Sequence, residues 1–517
     1  MRKILVDGEN LNIEDIVSVA RDGTDVEISE ETLKKLEISR ELVERWVKEG
    51  KTIYGVTTGF GSMCNIVIHA DDAKELQKNL IRSHSIGAGE FFPTDIVRAS
   101  MLIRANTLAK GYSGIKEETL RTLVEMIRRG VHPRIPEKGS VGASGDLDPL
   151  SHMASVMIGR GYAEYDGEVT ESGIAMKNAG INLIELGYKE GLALINGTSI
   201  MTAIAALVVH DAENLIKVAE ISAALSLEAL CGFSDPFEEK GNLSRPHPGQ
   251  IKSATNMRRL IEGSKLVKNY GELIKGDRIY HGSVQDAYSL RCSPQVLGPV
   301  REMIDYSRRV IEIEMNSATD NPLIFQDGSI FQGGNFHGQP IALISDFLGI
   351  ALSEIGIIAE RRIARVLDRK LSKGLPCFLI SREEGLRSGF MGIQYLATSL
   401  VAENKILVHP ASTESIPTNA NNQDVVSMGT IAARKAMEIL RNVETIVGIE
   451  LLCSSQAIYL RGEEKLGRGT KVAYKKIRAE IPPLEEDREM HGDLKKIVEL
   501  IRRGTLVNVV EENIKKL

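Results

Sequence analysis

Residues 199 to 230 read SIMTAIAALVVHDAENLIKVAEISAALSLEAL and contain neither glycine nor proline. Apolar residues recur through this stretch at helical spacing, which predicts one uninterrupted helix. A helix of this length measures about 48 Å at 1.5 Å per residue. A small domain cannot cover the face of such a helix, so we expect neighbouring helices of similar length.

Two more stretches of the second half carry the same pattern, from Pro340 to Lys373 and from Met428 to Leu460. Three long helices joined by loops predict an antiparallel bundle with coiled-coil-like packing along its length. Gly349, Gly356 and Gly448 interrupt the apolar pattern, where they permit either close helix approach or a bend. The predicted fold class is therefore mainly α.

The first half of the chain mixes shorter helices with strand signals. Two helical runs are expected between Pro93 and Arg129, and the segment from Tyr162 to Val169 is expected to form a β-hairpin. No linker of low complexity separates the two halves. We predict a mixed α/β N-terminal domain over residues 1–200, followed by a long-helix bundle and C-terminal helical domain over residues 201–517.

Charge and cysteine content exclude several classes of protein. A net charge of -6 and an isoelectric point near 6.0 argue against a nucleic-acid or anionic-membrane partner, which would require a basic face. The five cysteines are scattered without a CxxC pair, so neither a disulfide framework nor a zinc site is predicted. They are Cys64, Cys231, Cys292, Cys377 and Cys453.

The chain also lacks the apolar segments expected for export or membrane insertion. Asp7 and Glu9 interrupt the amino terminus before an apolar core of signal-peptide length can form. The longest uncharged apolar run, from Gly197 to His210, falls short of the roughly 20 residues that span a bilayer. We therefore expect a cytoplasmic protein with no membrane partner.

The run GSVGASGDLDPL, residues 139 to 150, carries the most distinctive chemistry of the chain. Gly145 has no side chain to hinder its amide nitrogen from attacking the carbonyl of Ala143, and Ser144 can then lose its hydroxyl as water. The product is a 4-methylidene-imidazol-5-one ring (MIO), an electrophile that no ordinary side chain provides. This tripeptide would supply the group without any metal or dissociable cofactor.

Glycine-rich turns with a serine also occur in other kinds of site. A hydrolase nucleophile elbow needs glycine two residues after the serine, where Asp146 stands. A phosphate-binding loop needs a Lys-Ser or Lys-Thr pair after its glycines, and none follows Gly145. On residue types alone, an ordinary turn remains the simplest alternative.

The chain resembles the family of histidine and aromatic amino-acid ammonia-lyases and aminomutases from about Tyr54 to Arg461. The run GSVGASGDLDPLSHMA carries the resemblance together with six further blocks. These are YGVTTGFG (Tyr54–Gly61), LINGTSIM (Leu194–Met201), VQDAYSLRCSPQV (Val284–Val296), MNSATDNPLIF (Met315–Phe325), GGNFHGQP (Gly333–Pro340) and AENKILVHPAS (Ala402–Ser412). The resemblance implies MIO formation from Ala143-Ser144-Gly145, and a homotetramer whose sites are built from three subunits.

The resemblance also implies roles for individual residues. Tyr54 would be the base that removes the β-proton, provided that nearby charge or hydrogen bonds lower its pKa, and its glycine-rich loop would act as a lid. Arg291 would bind the substrate carboxylate, with Gln285 and Tyr288 on the same face if these residues form a helical turn. The remaining residues expected at the MIO group or the substrate are Asn196, Phe336, Gly61, Leu147, Asn419 and Asn422.

Two selectors of the substrate side chain disagree. Ser83-His84 resembles the pair found in histidine lyases, and His84 suits either an imidazole or a phenol as partner. The resemblance places Gln423 at the position where histidine lyases have glutamate. A carboxylate can pair with imidazolium, whereas an uncharged amide gives a weaker preference for it. We therefore predict an aromatic ammonia-lyase or 2,3-aminomutase acting on L-tyrosine, with histidine ammonia-lyase as the alternative. Position 148 also departs from the family pattern, because it is aspartate in this chain and commonly alanine in the family. The sequence assigns no effect to this difference.

Two alternatives of other classes remain at this point. The fumarase and aspartase type also builds tetramers from long helices, but its signature serine loop does not occur in this chain. A non-catalytic helical scaffold would leave Ala143-Ser144-Gly145 uncyclised. The joint presence of Tyr54 and Arg291 with that tripeptide favours an enzyme.

Overall fold

A computed structural model describes residues 2–270 and 284–517. Helices dominate this part of the chain, which confirms the predicted fold class. The helices are α1 (Ile13–Arg21), α2 (Glu30–Lys48), α3 (Ala70–His84), α4 (Thr94–Ala109), α5 (Glu117–Arg129), α6 (Leu147–Met157), α7 (Ser172–Asn178), α8 (Glu190–Ile195), α9 (Ser199–Ala229), α10 (Glu239–Leu243), α11 (Pro248–Leu260), α12 (Tyr288–Arg291), α13 (Ser293–Glu314), α14 (Gln339–Leu367), α15 (Met391–Leu407), α16 (Gly429–Arg461), α17 (Arg468–Glu480), α18 (His491–Arg502) and α19 (Thr505–Glu511).

Strands in the described residues are short and form small separate sheets. They are β1 (Lys3–Val6), β2 (Asp25–Ile28), β3 (Ala88–Phe91), β4 (His132–Pro133), β5 (Pro136–Lys138), β6 (Tyr162–Tyr165), β7 (Glu168–Glu171), β8 (Leu323–Ile324) and β9 (Ile330–Phe331). β1 and β2 pair in parallel, and the pairs β3-β5, β4-β6, β6-β7 and β8-β9 are antiparallel. The β6-β7 pair is the predicted hairpin, with Asp166 and Gly167 both at positive φ in its turn.

The long helices follow the apolar pattern closely. α9 and α16 begin and end within one residue of their predicted limits. α14 instead ends at Leu367, short of the predicted Lys373. The reason is local, because the Asp368 carboxylate accepts the backbone N–H of Lys370 at 2.8 Å and offers the chain an alternative to continuing the helix.

Consecutive long helices run antiparallel, as predicted. Thr198, just before α9, bonds to Glu314 at the end of α13, while Glu220 further along α9 bonds to Arg301. The contacts therefore move back along α13 as α9 advances. The same reversal relates α14 to α15. Thr398 in α15 lies 3.3 Å from a carboxylate oxygen of Glu360, whereas Ser412, beyond the end of α15, donates to Asp346 nearer the start of α14.

The three glycines that interrupt the long helices mark close approaches. A Cβ added at Gly349 would lie 3.1 Å from Ile439 Cδ1, and one at Gly356 would lie 3.1 Å from Ile446 Cδ1. A Cβ at Gly448 would come equally near a side-chain atom of α18. Of the two predicted possibilities, close helix approach is the one that these distances support.

Among the described residues, α9, α14 and α16 are long and apolar enough to cross a membrane, judged by length and composition alone. In their most apolar windows, 78%, 72% and 83% of the residues, respectively, are buried inside the protein. Such burial is characteristic of helices that form a protein core.

The described residues form two compact units. The first contains residues 1–210, 307–346 and 410–435, and the second contains residues 211–306, 347–409 and 436–517. The predicted domains, 1–200 and 201–517, follow chain order, whereas each unit combines three separate segments. The loop at residues 139–147 lies in the first unit.

Candidate active site

Asp146 anchors the glycine-rich loop inside the first unit. Its buried carboxylate accepts the backbone N–H groups of Ile200 and Met201, at 3.0 and 2.9 Å, in the first turn of α9. The hydroxyl groups of Ser140 and Thr430 donate to its other oxygen. Burial raises the pKa of Asp146, and the hydrogen bonds oppose that shift. The carboxylate therefore fixes the loop on the N-terminus of a long helix, where an anion is favoured.

Gly145 lies against Gly197 so closely that no side chain fits between them. A Cβ added at Gly145 would lie 2.0 Å from the carbonyl oxygen of Gly197. Two hydrogen bonds join the backbones, from Gly197 N to the Ser144 carbonyl at 3.2 Å and from Asp146 N to the Gly197 carbonyl at 2.7 Å. This bridge does not use the amide nitrogen of Gly145.

These contacts fit the ring closure predicted from the sequence. The closure needs the amide nitrogen of Gly145 as the nucleophile and the carbonyl carbon of Ala143 as its target. The Ser144 carbonyl, which becomes the ring oxygen, already accepts the N–H of Gly197. A preorganised donor at that oxygen stabilises negative charge that develops there.

An apolar cluster packs around Ala143 and covers the other side of the loop. Its buried members are Ala143, Ala411, Val426, Met428 and Ala432, with Val141 packed against them. The Ser427 hydroxyl donates to the Gly142 carbonyl at 3.2 Å. The segment before α16 therefore restrains the loop in addition to α9.

Gln423 contacts the serine of the tripeptide directly. Its amide nitrogen donates to the Ser144 hydroxyl oxygen at 3.0 Å. The Thr418 hydroxyl donates to the Gln423 amide oxygen at 2.8 Å, which leaves the nitrogen facing Ser144. Backbone hydrogen bonds in both directions between Thr418 and Gln423 hold this segment in place. The sequence indicated Gln423 as a selector of the substrate and gave no sign of its contact with Ser144.

Tyr54 occupies a loop that is joined to the same segment. Its phenolic oxygen accepts the backbone N–H of Gly61 at 3.2 Å. A Cβ at Gly61 would lie 1.8 Å from the Asn419 amide nitrogen, so a larger residue does not fit. Ser62 donates to the Asn419 amide oxygen through its backbone N–H and its hydroxyl, at 3.3 and 3.0 Å. Asn419 thus ties the Tyr54 loop to the segment that carries Gln423.

The pKa of Tyr54 shifts in the direction opposite to the one expected from its proposed role. Burial raises this pKa above the ordinary value of 10.0, and the hydrogen bond from Gly61 only partly offsets the effect. The residues that surround Tyr54 here therefore do not supply the required stabilisation of the phenolate. Its role as the base stays a prediction.

Ser83 and His84 lie at the C-terminal end of α3. Ser83 is exposed, and His84 is half-buried. His84 Nδ1 lies 2.9 Å from the Leu80 carbonyl oxygen, so this nitrogen carries the proton and donates. Nε2 is then an acceptor without a partner among the described residues, and it suits the N–H of an imidazole or the O–H of a phenol equally well.

Asp148, which replaces the alanine common in the family, makes defined contacts in the structure. Its Oδ1 accepts the backbone N–H groups of Ile86 and Gly87, at 2.9 and 2.8 Å. The residue lies in the first turn of α6, directly after the glycine-rich loop. It therefore joins the turn that follows His84 to the helix that follows Gly145.

The other predicted residues of the first unit lie in loops or at helix ends near these segments. Asn196 is buried, and its amide oxygen has no hydrogen-bond partner among the described residues. It directly precedes Gly197, whose N–H reaches the Ser144 carbonyl. Leu147 begins α6 and is half-buried, as is Phe336 in the turn before α14, while Asn422 is exposed. Their roles toward a substrate stay predictions.

Gln285, Tyr288 and Arg291 belong to the second unit. The Arg291 guanidinium lies over the Tyr288 ring at 4.7 Å from its centroid, and both residues lie on the short helix α12. Gln285 precedes that helix, so the predicted helical turn with all three residues on one face is wrong. Tyr288 is 72% exposed, which leaves its ring and hydroxyl available for further contacts.

A buried ion pair in the first unit was not predicted from the sequence. Lys189 Nζ lies 2.6 Å from Asp320 Oδ2, and both side chains are fully buried. Arg104 donates to the Ala193 carbonyl nearby, and burial lowers the pKa of Arg104 to about 10. Lys189 immediately precedes α8, the helix that leads to Asn196. Within residues 2–270 and 284–517, no group of three or more His, Cys, Asp or Glu side chains is arranged to hold a metal ion.

Comparison with protein families gives a match over most of the chain. Residues 11–479 match the family described as "Aromatic amino acid lyase". A histidine ammonia-lyase from Caldanaerobacter subterraneus subsp. tengcongensis is 53% identical over 513 residues, which cover 99% of each chain.

Solved structures show the same likeness. A tyrosine aminomutase from Streptomyces globisporus superposes with a TM-score of 0.96 at 44% identity and covers 100% of both chains. A histidine ammonia-lyase from Trypanosoma cruzi gives a TM-score of 0.90 at 37% identity, with 99% of this chain and 96% of that chain covered. The chain therefore resembles these proteins in both fold and sequence over nearly its full length.

Proposed function

The chain belongs to the aromatic amino acid lyase family, whose members are MIO-dependent, and within it we propose a histidine ammonia-lyase that converts L-histidine to urocanate and ammonia. The observation that carries this proposal is the 53% identity to a histidine ammonia-lyase over 99% of both chains. That relationship spans every block that builds the candidate site. Ammonia-lyase or aminomutase activity is common to these relatives and does not depend on the choice of substrate.

Ala143, Ser144 and Gly145 would supply the prosthetic group. MIO provides an electrophile that lowers the cost of expelling the amine. The amide nitrogen of Gly145, which the bridge to Gly197 does not use, and the Gly197 N–H at the Ser144 carbonyl support its formation here. Gln423, which donates to the Ser144 hydroxyl, is positioned to assist the loss of that hydroxyl as water.

Tyr54 is proposed to accept the β-proton of the substrate. Its phenol is half-buried and directed to Gly61, on a loop tied to Asn419. Because burial raises its pKa, the phenolate needs a positive charge or further hydrogen-bond donors when substrate is bound. A cationic imidazolium substrate would provide such a charge.

Histidine replaces tyrosine as the leading substrate. The prediction of tyrosine depended on Gln423, whose uncharged amide gives no ion pair with imidazolium. The same amide hydrogen-bonds Ser144 at 3.0 Å, which gives a reason for glutamine at this position that does not depend on the substrate side chain. Gln423 is therefore a weaker argument against histidine as the substrate. The pair Ser83-His84 and the similarity to histidine ammonia-lyases both support histidine.

Tyrosine 2,3-aminomutase is the second candidate. It is favoured by the 44% identity and TM-score of 0.96 to a tyrosine aminomutase and by the glutamine at position 423. A lyase and an aminomutase share their catalytic residues and differ in whether ammonia leaves or returns to the β-carbon. The lifetime of lid closure over the bound product decides that outcome.

One assay separates the candidates. The purified protein is incubated with L-histidine, L-tyrosine or L-phenylalanine, and the products are separated by chromatography. We expect urocanate and ammonia from histidine. Coumarate or β-tyrosine without urocanate would establish the second candidate, and no turnover of any of the three would contradict both.

The assembly and location follow from the same proposal. We infer a homotetramer in the cytoplasm, in which Arg291 and Tyr288 reach an active site built around Ser144 of another subunit. The exposed Tyr288 ring supports this inference. Size-exclusion chromatography with light scattering tests the tetramer, and a monomer with full activity would contradict it.

A further inference from the structure

Asp148 occupies a slot that is shaped by two glycines. Its side chain is 8% exposed. A Cβ added at Gly139 would lie 1.8 Å from Asp148 Oδ2, and one at Gly87 would lie 2.9 Å from the same oxygen. Larger residues at either position would displace the carboxylate. A carboxylate that is buried in such a slot is stable only where hydrogen bonds compensate for the loss of water.

The hydrogen bonds of Asp148 are directed to a single turn. Oδ1 accepts the N–H groups of Ile86 and Gly87, two consecutive residues that lie just beyond the C-terminal end of α3. Hydrogen bonds to an ionised carboxylate are roughly twice as strong as those between neutral groups. Alanine at position 148 would leave both N–H groups without this acceptor.

Two other attachments hold the same turn. The hydroxyl oxygens of Ser85 and Ser155 lie 3.0 Å apart, and Ala88 in β3 pairs with Lys138 in β5. β5 ends directly before the glycine-rich loop, and Ser155 lies on α6, which begins directly after it. The turn after His84 is therefore fixed to both elements that flank Ala143-Ser144-Gly145.

His84 receives its orientation from this arrangement. Its Nδ1 is occupied by the Leu80 carbonyl, so the ring is fixed at the end of α3 with Nε2 as the available acceptor. Any movement of the turn at residues 85–87 moves the end of α3, and with it Nε2, relative to Ser144. A displacement of about 1 Å is enough to change catalytic efficiency by about 100-fold.

We propose that Asp148 is a positioning residue that sets the distance between the substrate-selecting pair Ser83-His84 and the Ser144 loop, and thereby sets selectivity for the substrate side chain. This inference rests on the proposed function only in one respect, namely which amino acid is the substrate. Among the described residues, His152 Nε2 also lies near the carboxylate, 3.6 Å from Asp148 Oδ1 and one helical turn further on.

Three variants test this role. Asp148→Ala removes the acceptor, and Asp148→Asn keeps an acceptor oxygen in a side chain of the same shape. Asp487→Ala is the matched control, because Asp487 also accepts two consecutive backbone N–H groups, those of Ser388 and Gly389, but lies in the second unit. With whichever amino acid the enzyme turns over, we expect Asp148→Ala to raise KM about tenfold while kcat falls less than about threefold. Asp148→Asn should restore KM to within about threefold of the original, and Asp487→Ala should change it by less than that.

A second readout does not depend on activity. Hydrogen exchange followed by mass spectrometry on peptides that cover residues 84–91 should show faster exchange in Asp148→Ala, because Ile86 and Gly87 lose their acceptor. Unchanged exchange in this variant, or a loss of kcat at unchanged KM, would overturn the proposal. If no amino acid is turned over, the proposed function fails, whereas the exchange result still decides whether Asp148 holds the turn.

Discussion

The side-chain amide of Gln423 donates a hydrogen bond to the hydroxyl oxygen of Ser144 at 3.0 Å, although 279 residues separate the two in sequence. Position 423 therefore contacts the serine from which the prosthetic group would form. By resemblance it is also the position where histidine lyases have glutamate. A change there affects the chemistry and the choice of substrate together. Substitutions that keep the shape of the side chain separate these two effects.

Gln423→Glu is expected to favour histidine. A carboxylate at this position can pair with imidazolium, whereas it cannot donate to a phenol or to the Ser144 hydroxyl. We expect the ratio of kcat/KM for histidine over tyrosine to rise about tenfold, the size of one charge-assisted hydrogen bond. Gln423→Ala is the control, because it removes the amide without adding charge. An unchanged ratio in Gln423→Glu would show that position 423 does not face the substrate.

Gly145→Ala is expected to prevent ring formation. The added Cβ would lie 2.0 Å from the Gly197 carbonyl oxygen, so the bridge between these two backbones must break. The intact mass of the original protein should be lower than that of its sequence by two water molecules, and Gly145→Ala should keep the full mass. Ser144→Ala, which disturbs only the hydrogen bond from Gln423, is the variant that should fold normally and also keep the full mass. A full-mass original protein with high activity would contradict the assignment of MIO.

Much of the fold could be predicted from the sequence because its long helices carry a local signal. α9 and α16 carry apolar residues at helical spacing along their length, and their predicted limits agree with the structure to within one residue. The predicted end of α14 lies too late in the chain because one hydrogen bond, donated by the Lys370 backbone N–H to the Asp368 carboxylate, outweighs helix propensity at that point.

The candidate site could be predicted only where a motif or a family resemblance marks it. Ala143-Ser144-Gly145 has a chemical signature of its own. Asp148 does not, since its partners Ile86 and Gly87 lie 62 and 61 residues earlier in the chain. Contacts of this kind arise from tertiary packing and leave no periodic pattern in the sequence.

Tyr54→Phe tests the proposed base. Only the phenolic oxygen is lost, together with the hydrogen bond that it accepts from the Gly61 N–H, so the fold should remain intact. Because burial raises the pKa of Tyr54, the phenolate fraction is small at neutral pH and grows as pH rises toward that pKa. We expect kcat/KM to increase with pH between about 7 and 9 in the original protein and to fall about 10²–10⁴-fold in Tyr54→Phe.

The pH series needs a control, because the amine of the substrate titrates in the same range. Tyr162→Phe, on the exposed hairpin strand β6, should reproduce the original profile. A rise with pH that persists unchanged in Tyr54→Phe would assign the titration to another group and remove Tyr54 from the role of base.

Lys189→Met is expected to destabilise the first unit. The Asp320 carboxylate, which lies 2.6 Å from Lys189 Nζ in a fully buried pair, would lose that partner. Removing one member of a buried pair costs about 3–5 kcal/mol, since the remaining charge stays desolvated. Urea unfolding at one fixed protein concentration measures the loss. The double variant Lys189→Met with Asp320→Asn should recover part of it because no lone charge remains, and equal stability of the single variant and the original protein would show that the pair contributes little.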